Sequence, residues 1–111
     1  MATKATNTAL LLDIQTGQTL PLQPMLSPRA RHAAILLSDG RVLILGGVNG
    51  KHLRTVECFD PMTRSWSSMP SMKVARADFA VVQSGASLIL LGGTGVVRPA
   101  ARARYHLAMY R

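Results

Sequence analysis

Acidic residues are scarce in this chain, and their scarcity limits what the protein can do. Five Asp and Glu stand against thirteen Lys and Arg in 111 residues, which gives a formal net charge of +8. This surplus of cations favours acidic partners, such as an acidic protein face, nucleic acid or anionic lipid. The alternative is a solvated surface that is basic without further consequence. With so few carboxylates, no pair suggests the two-carboxylate chemistry of glycoside hydrolysis.

Cysteine and metal-ligand patterns are also missing. The single cysteine, Cys58, excludes an internal disulfide, and its neighbours place it in an apolar strand pattern. We therefore expect a packed thiol rather than a reactive one. The three histidines, His32, His52 and His106, do not follow any spacing typical of metal ligands. The sequence thus predicts no catalytic residue, no metal site and no cofactor.

Long apolar runs are absent as well. After Lys4 the only apolar run near the start is Ala9 to Leu12, which is shorter than the core of a secretory signal. No run approaches the roughly 18 residues of a membrane span. We therefore expect a cytoplasmic protein without a membrane partner. No segment follows a helical period, so we expect strands.

What the chain does contain is a repeat. Met25 to Gly47 reads as a methionine, a short loop with arginine, an apolar run, a polar turn, a second apolar run and a glycine pair. Met72 to Gly93 follows the same order, and the two glycine pairs lie 46 residues apart. Repeats of this length bury their apolar faces against neighbouring copies, so the repeat determines the architecture.

Each copy predicts short strands joined by turns. The first of them is a continuous apolar run, expected to be buried on both faces. Asp39-Gly40 suits the hairpin turn that follows, and the glycine pairs permit close approach between neighbouring sheets. In the complete copy the predicted strands are His32 to Leu37, Arg41 to Leu45, Val56 to Phe59 and Ser65 to Ser68, with a polar loop from Val48 to Thr55. Before that copy, a strand is predicted at Ala9 to Leu12, followed by a turn at Asp13 to Gly17 and a short second strand ending near Leu22. After it, strands are predicted at Phe79 to Gln83, at Leu88 to Leu91 and, in degenerate form, at Tyr105 to Tyr110.

Four short antiparallel strands repeating every 46 or 47 residues describe a propeller blade. The residues that form the pattern resemble the kelch repeat, in the variant common in bacterial proteins related to the central domain of galactose oxidase. The resemblance rests on "M-x-x-x-R-x-x-H" at Met25 to His32, "LLSDGRVLILGG" at Leu36 to Gly47 and "V-E-C-F-D-P" at Val56 to Pro61. It implies an all-β propeller segment with about two four-stranded antiparallel blades, which form an incomplete ring.

The repeat also divides the chain. We expect a polar lead-in at 1–8, kelch-like blades at 9–97, with parts at 9–24, 25–69 and 72–97, and a basic tail or degenerate strand at 98–111. An incomplete ring leaves unpaired strand edges, and such edges invite pairing. We therefore expect a homo-oligomer, an edge-paired assembly or a piece of a longer protein.

The resemblance implies a non-catalytic scaffold that binds a protein partner through its inter-strand loops. Arg31 is of interest because its counterpart in the second copy is Asp78, and a guanidinium suits a carboxylate or phosphate. Arg29 and Arg76 share one repeat position, for which a structural tie between blades is the alternative. The candidate contacts are Arg29, Arg31, Asn49, Lys51, His52, Arg54, Arg76 and Asp78.

The basic tail is a separate candidate for anion binding. Its cations are Arg98, Arg102, Arg104 and Arg111, interleaved with Tyr105, His106 and Tyr110. Cations with stacking aromatics suit single-stranded nucleic acid or an acidic protein patch. No nucleic-acid motif is present, and a solvated or partly disordered terminus is the alternative that the sequence favours. A further alternative is part of a larger kelch-type sugar oxidase or epimerase. Trp66 is interpreted as packing between blades.

Overall fold

The computed structural model describes residues 4–95 and 102–107, and this part of the chain contains strands and no α-helix. It accordingly has no helix that could span a membrane. The strands are β1 (Leu10–Leu12), β2 (Thr19–Pro21), β3 (Ala33–Leu36), β4 (Val42–Leu45), β5 (Val48–Asn49), β6 (Lys51–His52), β7 (Val56–Asp60), β8 (Ser65–Met69), β9 (Ala80–Ser84), β10 (Ser87–Leu91) and β11 (Arg102–His106). All pair antiparallel, which confirms the predicted all-β propeller segment.

The complete copy forms a four-stranded sheet in the order β3-β4-β7-β8. Between β3 and β4, Leu37 donates its N–H to the Arg41 carbonyl over 2.8 Å, and Gly40 adopts the positive φ that this tight turn needs. Val42 lies opposite Phe59, and Leu45 opposite Val56. One end of this first sheet therefore carries the turns, whereas the other end carries the loops before β3 and between β4 and β7.

The second copy forms a sheet in the order β9-β10-β11. Its third strand pairs with β10 from Arg102, opposite Leu91, to His106, opposite Ser87. This strand begins before the predicted start at Tyr105, because the pairing with β10 fixes the register. The remaining strands form two hairpins, β1-β2 and β5-β6.

The core lies between the first and second sheets. Leu43 and Leu45 of β4 are fully buried on one side, and Leu88 and Leu90 of β10 are 0% and 2% exposed on the other. Burial of each such side chain contributes roughly 2 kcal/mol. Cys58 belongs to this core, which confirms the predicted packed thiol, and burial raises its pKa.

The first glycine pair is the point where the second repeat approaches the first. Gly47 donates its N–H to the Arg76 carbonyl over 2.9 Å. A Cβ on Gly46 would overlap the same carbonyl oxygen, and the φ of Gly46 is positive. The predicted close approach between sheets is therefore confirmed.

Two predictions about the first repeat are wrong. The strand β3 is not buried on both faces: Leu36 is 68% exposed, because β3 is an edge strand and this side chain faces away from the second sheet. The segment from Val48 to Thr55 is not only a loop, since it contains the β5-β6 hairpin, with Gly50 at positive φ at its tip.

Candidate functional site

Arg29 lies at the end of the first sheet that carries the loops, and its side chain is buried. It is 1% exposed and donates from Nη1 to the carbonyls of Gly46 (2.8 Å) and Thr55 (3.1 Å). Its Nη2 forms a 2.7 Å ion pair with Oε2 of Glu57, which is also buried. Arg29 therefore ties the chain before β3 to the segments that flank β4 and β7.

The Glu57 carboxylate is hydrogen-bonded on both oxygens. Oε1 accepts from the Leu26 N–H over 2.6 Å, and Oε2 accepts from the Ser27 N–H over 3.0 Å as well as from Arg29. A buried ion pair is tolerated when its remaining lone pairs are satisfied in this way. The pair consequently fixes the backbone that leads into the loop before β3.

Arg76 repeats the position of Arg29 in the second copy. It is 1% exposed, its Nη1 lies 3.4 Å from the Gly92 carbonyl, and its guanidinium carbon lies 5.8 Å from the ring centre of Phe79. Burial lowers the pKa of this guanidinium. The structural interpretation accounts for both arginines, because a partner at the surface would not reach the buried groups of Arg29 or Arg76.

Arg31, His52, Asp78 and Thr94 meet at the loop end of the two sheets, and we call them the loop cluster. Arg31 forms an ion pair with Asp78, in which Nε donates to Oδ2 over 2.8 Å. The Thr94 hydroxyl lies 3.2 Å from Arg31 Nη2, 3.3 Å from Asp78 Oδ2 and 3.2 Å from His52 Nε2. Residues from both repeats thus share one polar surface.

The loop cluster combines an uncommon backbone conformation with an ion pair that shifts the pKa values of both partners. Arg31 and Asp78 occupy the same repeat position, and both adopt the left-handed region, with φ of 58° and 55°. This conformation is uncommon for residues other than glycine and persists where surrounding contacts hold it. The hydrogen bond and charge of Arg31 hold the pKa of the Asp78 carboxyl below its ordinary value, while Asp78 raises the pKa of Arg31.

The remaining predicted contacts surround the loop cluster. Asn49 and Lys51 are exposed on the β5-β6 hairpin, and Arg54 is exposed between that hairpin and β7. Neither Lys51 nor Arg54 has an ion pair within residues 4–95 and 102–107. The surface around the loop cluster therefore carries positive charge that no carboxylate of the described residues neutralises by an ion pair.

Sequence reasoning missed Thr94 and the pairing of Arg31 with Asp78. The signal for Thr94 was its repeat position, since Thr94 follows the second glycine pair as Val48 follows the first. Val48 and Thr94 each form a β-bridge with the chain before the first strand of their sheet. Arg31 and Asp78 share one repeat position, and their ion pair joins the two copies.

Only part of the basic tail lies within the described residues. Arg98 and Arg111 fall outside them, whereas Arg102 and Arg104 belong to β11, and Arg104 is exposed. Trp66 donates its indole N–H to the Gln23 carbonyl over 2.8 Å, which is a contact between the complete copy and the segment before it. In the described ranges no three His, Cys, Asp or Glu side chains are grouped so as to hold a metal ion.

Comparison with known proteins identifies the repeat. Residues 29–73 match the family described as Kelch motif. The matched residues include the whole first sheet, from β3 to β8, and the Arg29–Glu57 ion pair. The first sheet is therefore a kelch repeat.

Several curated proteins are similar over most of the chain. The mouse (Mus musculus) Influenza virus NS1A-binding protein homolog is 33% identical over 89 residues, which are 78% of this chain and 14% of that protein. Human (Homo sapiens) Kelch-like protein 28 is 35% identical over 88 residues, 71% of this chain and 15% of that protein. Rat (Rattus norvegicus) Kelch domain-containing protein 8B is 33% identical over 96 residues, 75% of this chain and 27% of that protein. The chain thus spans less than a third of each of these relatives.

Proposed function

We propose that this chain, whose residues 29–73 form a kelch repeat, is a non-catalytic scaffold that binds an acidic protein partner. The proposed contact is the loop cluster with the neighbouring cations Lys51 and Arg54. The observation that carries the proposal is the Arg31–Asp78 pair, which joins two repeats, beside exposed cations that have no ion pair in the described ranges.

The charge arrangement supports recognition rather than a reaction. Asp78 already engages Arg31, so Lys51 and Arg54 supply the positive charge available to a partner. Complementary charge at an interface speeds association and selects against wrong partners. Cys58 is a poor nucleophile in the core, because the reactive form of cysteine is the thiolate and burial raises the pKa of this thiol.

The relatives support a binding role. One of them carries a name that records binding, the Influenza virus NS1A-binding protein homolog, and the other two are named as kelch proteins. Propeller and repeat proteins present loops from consecutive units on one surface, so a partner can contact several repeats together. The loop cluster has this property, since Arg31 and Asp78 come from different repeats.

The proposal includes assembly through open strand edges. Within the described ranges, β1 pairs only with β2. Leu10 and Leu12 of β1 are 59% and 56% exposed. Unpaired edges with apolar side chains favour association, so light scattering at micromolar concentration should detect a species larger than one chain. A strict monomer would contradict this part of the proposal.

Charge reversal at the loops tests the binding face. We expect the double variant Lys51→Glu and Arg54→Glu to lose a partner that the unmodified chain captures, which mass spectrometry of the captured proteins quantifies. The affinity of the unmodified chain for this partner should then fall as the salt concentration rises. The matched control is Arg64→Glu, in the exposed turn at the opposite end of the first sheet. Equal capture by all three proteins would overturn the proposal. Bound copper together with oxidation of a primary alcohol would support the sugar-oxidase alternative instead.

A further inference from the structure

A groove of about 590 Å³ runs beside β11, the outer strand of the second sheet. Residues 103–106 form one wall, and the chain from Ser71 to Val74 forms the other. None of the described residues that line the groove is acidic, while Lys73 and Arg104 are exposed cations. The groove is therefore electropositive and lies along a strand edge.

The outer side of β11, which faces away from β10, pairs with no other strand of the described residues. Leu107, directly after the strand, donates its N–H to the Ala86 carbonyl, and neighbours in an antiparallel pair alternate between the two sides of the strand. Ala103 and Tyr105 therefore direct their backbone groups to β10, whereas Arg104 and His106 direct theirs away from it. In the described residues no other strand pairs with that side of β11.

The first repeat contains a strand where the second has the groove. There β7 occupies the position of β11, and β8 pairs with its outer side. Trp66 of β8 donates to the Gln23 carbonyl over 2.8 Å, whereas in the second repeat Tyr105 of β11 itself donates to the Pro70 carbonyl over 2.6 Å. Since Pro70 is the repeat counterpart of Gln23, Tyr105 holds the groove wall in place, and among the described residues no fourth strand pairs with β11.

The side chains of β11 determine what can cover this part of the second sheet. In the first repeat, Val56 and Cys58 face the second sheet and are 1% and 3% exposed. The counterpart of Cys58 by register is Arg104, which is exposed. A guanidinium packed against an apolar sheet requires a counter-charge, so an acidic segment fits better than an apolar blade.

We propose that an extended acidic segment of a partner protein adds to the outer edge of β11, beside Arg104 and His106, as a fourth strand, with its carboxylates against Lys73 and Arg104. Main-chain hydrogen bonds to Arg104 and His106 provide affinity, and the cations select acidic sequences. This inference rests on the proposed binding function and adds a second contact surface, with a defined backbone conformation for the bound segment.

A designed peptide tests the inference. The probe is a short fluorescent peptide that alternates valine and glutamate, and the comparison peptide alternates valine and lysine. By fluorescence anisotropy, we expect the glutamate peptide to bind the full chain, and Arg104→Glu to weaken it by about tenfold and to favour the lysine peptide instead. The control Arg64→Glu, in the exposed turn after β7, should leave both affinities unchanged.

Backbone pairing has its own readout. Bound peptide should slow amide hydrogen exchange at Arg104 and His106, because both amides then become hydrogen-bonded. A glutamate peptide that is N-methylated on the pairing edge should not bind. Equal binding of the methylated peptide, or unchanged exchange at these amides, would overturn strand addition.

Other occupants give different results. Tighter binding of oligothymidylate that is lost in Arg104→Glu would identify a nucleic-acid surface and overturn the inference. Exchange protection that rises with protein concentration in the absence of peptide would identify a second copy of the chain. If the Lys51→Glu and Arg54→Glu double variant no longer binds the peptide while Arg104→Glu still does, the peptide binds at the loop cluster and not beside β11. If no peptide binds while the loop variant still loses its captured partner, only the present inference fails.

Discussion

The two repeats follow the same backbone plan and differ most in their third strands. In the first, Glu57 lies opposite Ile44 and pairs with the buried Arg29. At the same position of the second, opposite Leu90, stands Ala103. The carboxylate that fixes the first repeat therefore has no counterpart in that strand of the second.

Equivalent faces of the two sheets also differ in how much of their apolar surface is buried. Leu43 and Leu45 of the first sheet are fully buried against the second sheet, whereas Leu91, the counterpart of Leu45, is 44% exposed. Arg104 takes the position of the buried Cys58 and is exposed. The first sheet is thus built for packing between neighbours, and the second combines one packed face with a cationic face and edge. Variants at equivalent positions measure how far this division holds.

The largest expected effect is the loss of the Arg29–Glu57 ion pair. Glu57→Gln removes the charge that compensates the buried guanidinium, and breaking such a pair costs about 3–5 kcal/mol. Urea unfolding should show this as a large fall in the free energy of unfolding. The corresponding neutralisation at an exposed pair, Asp39→Asn beside Arg41, should lower the free energy of unfolding by less than about 0.5 kcal/mol. Equal effects at the two sites would contradict the assignment of Arg29 as the structural tie.

The second effect compares the first glycine of each pair. Gly46→Ala forces a Cβ onto the Arg76 carbonyl and also places alanine at positive φ, for an expected loss of about 3 kcal/mol. Gly92 has a similar φ, of 74°, and no atom within 4 Å of the added Cβ. Gly92→Ala should therefore cost only the backbone strain, about 1–2 kcal/mol. Thermal unfolding measures both, and equal losses would mean that contact between the repeats does not constrain Gly46.

The repeat pattern predicted the fold better than the site, for a physical reason. Strands, turns and glycine pairs depend on residues close in sequence, so Asp39-Gly40 and Gly46-Gly47 could be interpreted directly. The loop cluster depends on contacts across the repeats, as between Arg31 and Asp78, and no local pattern specifies such a partner. The burial of Arg29 could not be predicted either, because its partner carboxylate, that of Glu57, lies on a strand 28 residues away.

The third effect concerns the carbonyls that Trp66 and Tyr105 bind in the two repeats. Trp66→Phe removes the hydrogen bond to Gln23, and Tyr105→Phe removes the one to Pro70. Each change should cost about 1 kcal/mol, the usual contribution of a single hydrogen bond. Chemical denaturation with both single variants checks this equivalence. A neutral Tyr105→Phe beside a costly Trp66→Phe would show that the Tyr105 hydroxyl does not take the place of the contact that Trp66 makes from β8.

The smallest effect is the pH dependence of the Arg31–Asp78 pair, in which both repeats take part. Arg31 lowers the pKa of Asp78 in the folded state, so the pair stabilises the protein above the unfolded-state value of about 3.9 and ceases to do so as the pH falls through the lower folded value. Asp78→Asn should therefore lower the urea midpoint slightly at about pH 7 and have no effect at about pH 2. Because both side chains are about 40% exposed, 1 M salt should also reduce the difference. A difference that persists at low pH would mean that Asp78 acts through its backbone conformation, and the link between the repeats would then be steric rather than electrostatic.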